Sequence, residues 1–150
     1  MLEPQRQLPW PSEASTDMNI TIALVEDDAA LATLLSYNLS AAGFEVEWVR
    51  CGEDAEEKLL GTAKHDLILL DWQLPGRSGI ELLRQIRSTE PTERQPIIML
   101  TCHNNSENRK RAYDLGATDF IGKPFSLHAL MARITSLLDP QLKPAIAESR

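Results

Sequence analysis

DLILLDWQLPGRSGIEL, residues 66–82, contains the alternation that decides the fold. Leu67, Ile68, Leu69 and Leu70 are an apolar run of strand length with no polar position, which reads as a strand buried on both faces. Pro75-Gly76 turns the chain, and a helix follows over about 79–88. Working outward, the same strand–helix unit recurs. Upstream, ITIALV (20–25) is a first strand. Leu31, Leu34, Leu35, Leu39 and Ala42 mark the inner face of a helix that Gly43 ends. Phe44, Val46 and Trp48 alternate with Glu45 and Glu47, the pattern of a half-exposed edge strand. A helix over 53–60 turns Ala55, Leu59 and Leu60 inward. Downstream, IIML (97–100) is another buried strand, a polar helix covers about 105–115 and stops at Gly116, and residues 119–121 form a short strand. Ser126 caps a last helix whose inner face is Leu127, Leu130, Met131, Ile134, Leu137 and Leu138. Five βα units in succession predict an α/β protein, a doubly wound parallel sheet with helices on both faces and right-handed crossovers. Such a sheet places its ligand at the carboxyl ends of the strands, near the switch in strand order.

The chain has 150 residues, enough for one domain with tails. Its composition, 43% hydrophobic and 25% charged, excludes wholesale disorder, and a domain of this size needs no disulfide or metal staple. Residues 1–18, with Pro4, Pro9 and Pro11, read as a disordered N-terminal extension. Asp139-Pro140 stops the last helix, so 19–138 is the expected domain and 139–150 a C-terminal tail. No apolar run is long enough to span a membrane, and no apolar core of a signal peptide stands at the start. Cys51 and Cys102 do not make a disulfide framework. Together these features predict a cytoplasmic protein that contacts no membrane. A net charge of −7 lacks the basic footprint of a duplex binder, so direct nucleic-acid binding by this chain is not expected.

The residues just after each strand carry the chemistry. Glu26, Asp27 and Asp28 follow the first strand, Asp71 the third, Thr101 the fourth, and Lys123-Pro124 the fifth. No glycine-rich loop follows the first strand, which disfavours a dinucleotide or P-loop site. Instead carboxylates converge, and their mutual repulsion is tolerable if a hard divalent cation sits among them. A carboxylate nucleophile, a hydroxyl and an ammonium beside such an ion make a phosphoryl-accepting site. Taken singly, these residues have plainer readings. Asp28 suits a helix N-cap, Glu26 and Asp27 suit first-turn acids, Thr101 suits turn chemistry, and Lys123 a surface position. Their joint placement on successive strand ends favours the site. His65 and His128 have no partner spacing and read as surface or packing residues. Cys102 reads as a small semi-buried residue, with a redox role the lesser alternative.

ALVEDD (23–28), DLILLDWQLPGRSGIEL (66–82), PIIMLT (96–101) and GATDFIGKPFS (116–126), in that order, resemble the CheY-like receiver domain of two-component response regulators, closest to the OmpR/PhoB-like subfamily. The resemblance implies a flavodoxin-like (βα)5 fold with strand order 2-1-3-4-5. It implies that Asp71 accepts a phosphoryl group from a sensor histidine kinase. Glu26 and Asp27 match the acidic pair that holds Mg²⁺ (or Mn²⁺), with Asp71 and the backbone carbonyl of Gln73 completing the protein ligands. Thr101 matches the switch hydroxyl, Phe120 the switch aromatic, and Lys123 the lysine that pairs with the phosphate before a cis bond to Pro124.

The implied function is phosphorylation-controlled switching of an output, transcriptional where a DNA-binding domain is attached. The protein is then not an enzyme beyond slow autophosphorylation and autodephosphorylation. Phe120 lacks the hydroxyl of the tyrosine commoner at its position. Arg109, Asp119 and Arg133 match members of a symmetric dimer face made by the fourth helix, fifth strand and fifth helix, although Lys110, Thr118 and Ala129 depart from that pattern. His103 and Gln73 stand where the family tunes dephosphorylation. One alternative is a single-domain or phosphorylation-independent receiver adaptor. Another is a haloacid-dehalogenase-like phosphatase, which wants a carboxylate where Gln73 stands.

Overall fold

A computed structural model describes residues 20–61 and 64–138. The expected extension 1–18 and tail 139–150 lie outside the described residues. The chain falls into two units, 20–124 and a second whose described part is 125–138. In the first, β1 (Thr21–Val25), α1 (Ala29–Ala41), β2 (Glu45–Val49), α2 (Gly52–Leu59), β3 (Leu67–Asp71), α3 (Gly79–Arg87), β4 (Ile97–Thr101), α4 (Ser106–Asp114) and β5 (Asp119–Gly122) alternate along the chain. The second contains α5 (Leu127–Leu138).

The five strands are all parallel, in the order β2-β1-β3-β4-β5. β2 is an edge, as its alternating glutamates require, and every residue of β3 and β4 is buried, as their unbroken apolar runs require. Strand side chains alternate between faces. Ala23, Val25, Ile68, Leu70, Ile97, Met99 and Phe120 join Ala55 and Leu59 of α2, Leu83 and Ile86 of α3, and Ala112 of α4 in one core. Ile22, Leu24, Leu67, Leu69, Ile98 and Leu100, of the opposite parity, are also buried.

Helix starts follow local chemistry. Asp28 is the N-cap of α1 and accepts from the N–H groups of Ala30 and Leu31. Ser78 caps α3, Asn105 caps α4, and the Ser126 hydroxyl accepts from the Ala129 N–H at the start of α5. Gly116 ends the α4 segment at φ +109°, a backbone angle that side chains other than glycine's resist.

The helical face read for α1 needs correction. Its buried stripe is Ala32, Leu35 and Leu39, while Leu34 is 50% exposed. A helix of leucines and alanines offers two apolar stripes, and periodicity alone does not choose between them. On α5, Leu130 and Ile134 are fully buried, whereas Leu127, Met131, Leu137 and Leu138 are half-buried. Cys102 is exposed, not semi-buried. His65 is buried with a partner that spacing did not reveal, its Nε2 lying 2.7 Å from Glu47 Oε1.

Candidate functional site

Strand register assembles the site. Val25 pairs with Leu70, so Glu26 and Asp71 stand one step further up adjacent strands. Asp71 pairs with Leu100, just before Thr101, and Thr101 pairs with Gly122, just before Lys123. The chain reverses its direction of sheet growth between β1 and β3, the switch point where such folds bind ligands.

The side chains meet accordingly. Lys123 Nζ donates to Glu26 Oε1 at 3.0 Å and to Asp71 Oδ2 at 3.1 Å. Glu26 Oε2 accepts from the Asp28 N–H at 3.1 Å, and Asp71 Oδ1 accepts from the Gln73 N–H at 3.2 Å. Glu26 is fully buried, Asp71 is buried and Asp27 is exposed; one carboxylate oxygen from each lies within 4.8 Å of the others. Thr101 is buried beside them, its hydroxyl accepting from the His103 N–H at 2.9 Å. The Lys123 N–H donates to the Thr101 carbonyl, fixing where the lysine stem starts. The peptide between Lys123 and Pro124 is cis, as the resemblance implies.

The electrostatics are those of crowded negative charge. Burial, and then repulsion from Asp71, push the Glu26 carboxyl up to about 7 against the opposing pull of Lys123 and the Asp28 N–H. Burial opposes the charge on Lys123, but its hydrogen bonds and attraction to Glu26 and Asp71 outweigh that cost and raise its pKa. Among the described residues, three clustered carboxylates against one ammonium leave a surplus of negative charge, and the donor atoms are all oxygen. That set fits a hard divalent cation.

Phe120 is buried, with its ring edge-on to Trp72 at 6.3 Å between centroids, and the Arg109 guanidinium lies over it. Of the three residues expected on a dimer face, Arg109 also donates to Asn104 Oδ1 and Asp119 accepts from the Tyr113 hydroxyl. Arg133 lies on α5, in the second unit.

Two contributors escaped the sequence reading. Gly79 stands so close to the Asp71 carbonyl that any Cβ would collide with it. Trp48, read only as a strand residue, donates its indole N–H to the Glu26 carbonyl at 2.7 Å. Gly79 carries a signal, a glycine where a loop enters a helix; Trp48, 22 residues from its acceptor, carries none.

Residues 22–135 match the family model of the response regulator receiver domain, and the chain belongs to that family. It is 50% identical over 117 residues to the phosphate regulon transcriptional regulatory protein PhoB of Rhizobium meliloti, covering 78% of this chain and 51% of that protein. It is 39% identical over 121 residues to the alkaline phosphatase synthesis transcriptional regulatory protein PhoP of Bacillus subtilis, covering 81% and 49%. The chain thus spans about half the length of the curated relatives it matches. Among solved structures, the non-phosphorylated HemR receiver domain of Leptospira biflexa superposes with a TM-score of 0.75 at 32% identity, covering 81% of this chain and 95% of that one. The BeF3-activated receiver domain of Klebsiella pneumoniae RstA does so at 0.72 and 34%, covering 79% and 98%. The fold is therefore the flavodoxin-like receiver fold, and the chain is a regulatory domain of phosphorylation-based two-component signalling. No described helix is long and apolar enough to cross a membrane.

Proposed function

We propose that Asp71 is the phosphoacceptor and that a sensor histidine kinase is the donor. The observation that carries this reading is Lys123 Nζ bridging the buried carboxylates of Glu26 and Asp71 at the end of β1 and β3. One carboxylate oxygen of Asp71 attacks phosphorus, the P–N bond of a phosphohistidine breaks, and the imidazole leaves. The product is an acyl phosphate, which water hydrolyses, so the signal is timed. Lys123 neutralises phosphoryl oxygens, and Gln73 fixes the rotamer of Asp71 through its N–H. Glu26, Asp27, Asp71 and the Gln73 carbonyl are the groups that would hold Mg²⁺ or Mn²⁺. When bound, such an ion supplies further charge neutralisation for phosphoryl transfer.

Thr101 and Phe120 are the switch pair in this reading. The Thr101 hydroxyl, which accepts from the His103 N–H, turns to donate its O–H to a phosphoryl oxygen, and the Phe120 ring position reports the change to α4. A shift from 1:99 to 99:1 requires the phosphoryl group to stabilise the active conformation over the inactive one by about 5.5 kcal/mol. The output is transcriptional in a longer protein, as the names of the relatives suggest, and two copies pair through Arg109 and Asp119 of the first unit, with Arg133 of the second as a further candidate contact. Turnover is limited to slow self-phosphorylation from small donors and slow self-hydrolysis.

The test uses acetyl phosphate or phosphoramidate with Mg²⁺, followed by intact mass. One phosphoryl adduct, labile to hydroxylamine and missing in Asp71→Asn, supports the assignment. An adduct that persists in Asp71→Asn places the acceptor elsewhere, and rapid sustained hydrolysis makes the protein a phosphatase.

A further inference from the structure

The backbone of Glu26 is held by β2 at both its N–H and its carbonyl, and the carbonyl belongs to the peptide that leads into Asp27. The Glu26 N–H donates to the Val49 carbonyl at 3.0 Å, which continues the β1–β2 ladder. The Glu26 carbonyl accepts the Trp48 indole N–H at 2.7 Å, a bond that no ladder supplies. Trp48 is itself held. Its backbone pairs with Leu24, and the Arg50 guanidinium lies over its ring, 4.4 Å from the centroid. The ring is half-buried, so the hydrogen bond is partly screened from competing water.

A trans peptide is planar, with C=O and N–H pointing opposite ways. Fixing the Glu26 carbonyl therefore fixes the Asp27 N–H and its N–Cα bond, which leaves φ and the side-chain torsions as the freedom that places the Asp27 carboxylate. Asp27 needs that help. Its neighbours Glu26 and Asp28 are tied down by Lys123 and by the α1 cap, whereas Asp27 is exposed. Carboxylates pre-set around a cation bind it with less ordering cost than mobile ones.

We propose that Trp48 is a positioning residue for the acidic pair, setting the Glu26–Asp27 peptide so that Asp27 is preorganised for a divalent cation. This rests on the assignment of Glu26, Asp27 and Asp71 as cation ligands. It acts through the indole N–H and not through the bulk of the ring.

The experiment separates those two. Site-directed incorporation of 3-benzothienylalanine at position 48 keeps the ring and replaces N–H by sulfur; Trp48→Phe is the coarser variant. Mn²⁺ is titrated into the full chain and free Mn²⁺ is read by electron paramagnetic resonance, with Asp27→Asn as reference. Amide hydrogen exchange is measured without metal. Loss of one neutral hydrogen bond should weaken Mn²⁺ binding roughly three- to tenfold. The Asp27 and Asp28 amides should exchange faster while the β1–β2 ladder amides stay protected. Wild-type affinity and wild-type exchange in the benzothienyl protein would overturn the proposal and leave the ligand assignment standing. So would weakening confined to Trp48→Phe, which would make the effect one of packing. Failure of the wild type to bind Mn²⁺, or equal binding by Asp27→Asn, would overturn the ligand assignment and this inference with it.

Discussion

The Arg109 guanidinium caps the ring of Phe120, with Cζ 4.9 Å from the ring centroid. The same ring meets Trp72 edge-on, and Trp72 follows Asp71 directly. The link between the Phe120 ring and α4 is thus an exposed cation on the ring face. An exposed cation–π contact is worth about 0.5–1 kcal/mol. Arg109→Ala should lower stability by about that amount in urea and shift the Trp72 emission, because the Phe120 ring loses its outer support. Unchanged emission in Arg109→Ala, read in a background of Trp10→Phe and Trp48→Phe, would show that the ring is held without the arginine.

Much of this arrangement was legible in the sequence, for a physical reason. Buried parallel strands must be apolar throughout, so LILL and IIML announce themselves, and a doubly wound sheet sends the next residue of each strand to one edge. Asp71, Thr101 and Lys123 were legible in that way. The choice between two apolar stripes on α1 was not, because Leu34 and Leu35 are chemically alike and only packing distinguishes them. The grip of Trp48 on Glu26 and that of Glu47 on His65 join residues 22 and 18 apart through side chains, which no periodicity encodes.

Glu47 sits between the His65 ring, 2.7 Å away, and the ammonium groups of Lys58 at 3.5 Å and Lys64 at 3.9 Å. The hydrogen bond from His65 holds the Glu47 carboxyl below its ordinary value of 4.5 against the opposing effect of burial, with the nearby lysine charges assisting. A carboxylate with a depressed folded-state pKa contributes stability that is complete above its unfolded value and is lost as pH falls through the folded one. Urea midpoints should therefore fall below about pH 4.5 partly because of this residue, and Glu47→Gln should flatten that part of the profile. At neutral pH the same substitution should cost about 1 kcal/mol. An acid limb of equal steepness in the variant would assign the loss to other carboxylates.

Arg87 ties the end of α3 to the α4–β5 connection. Its Nε donates to the Gly116 carbonyl at 2.8 Å and its Nη2 to the Thr118 hydroxyl at 3.4 Å, while burial lowers its pKa. The fork serves two acceptors at once, which an ammonium on a shorter reach does not reproduce. Arg87→Lys should destabilise the protein by about 1–3 kcal/mol despite keeping the charge. A midpoint within error of wild type would mean that neither acceptor depends on the guanidinium.

Arg109 and Asp119 already have partners within their own chain, Asn104 and Tyr113. Pairing of two copies through these residues competes with those contacts, so association should be weak in the unphosphorylated protein. Light scattering should give a monomer mass that rises toward a dimer with beryllofluoride and Mg²⁺, and Asp119→Ala or Arg133→Ala should abolish the rise. A mass that stays monomeric at the highest concentration would remove these residues from the proposed dimer.

Among the described residues, Lys123 is the one ammonium touching the two buried carboxylates of the site, Glu26 and Asp71. Removing one partner of a buried ion pair leaves uncompensated charge, at a cost of about 3–5 kcal/mol. Lys123→Met should approach that loss in EDTA. A divalent cation relieves the same repulsion and binds only the folded site, so saturation should stabilise the protein. At a hundred times its Kd the gain is about 2.7 kcal/mol. If the carboxylates are the cation's ligands, Mg²⁺ should recover a larger share of stability in Lys123→Met than it adds to wild type, because the variant starts from the greater excess of negative charge. Urea titrations of both proteins with Mg²⁺ and with EDTA measure the difference. Equal Mg²⁺ increments in the two would show that the ion and the ammonium act on different charges.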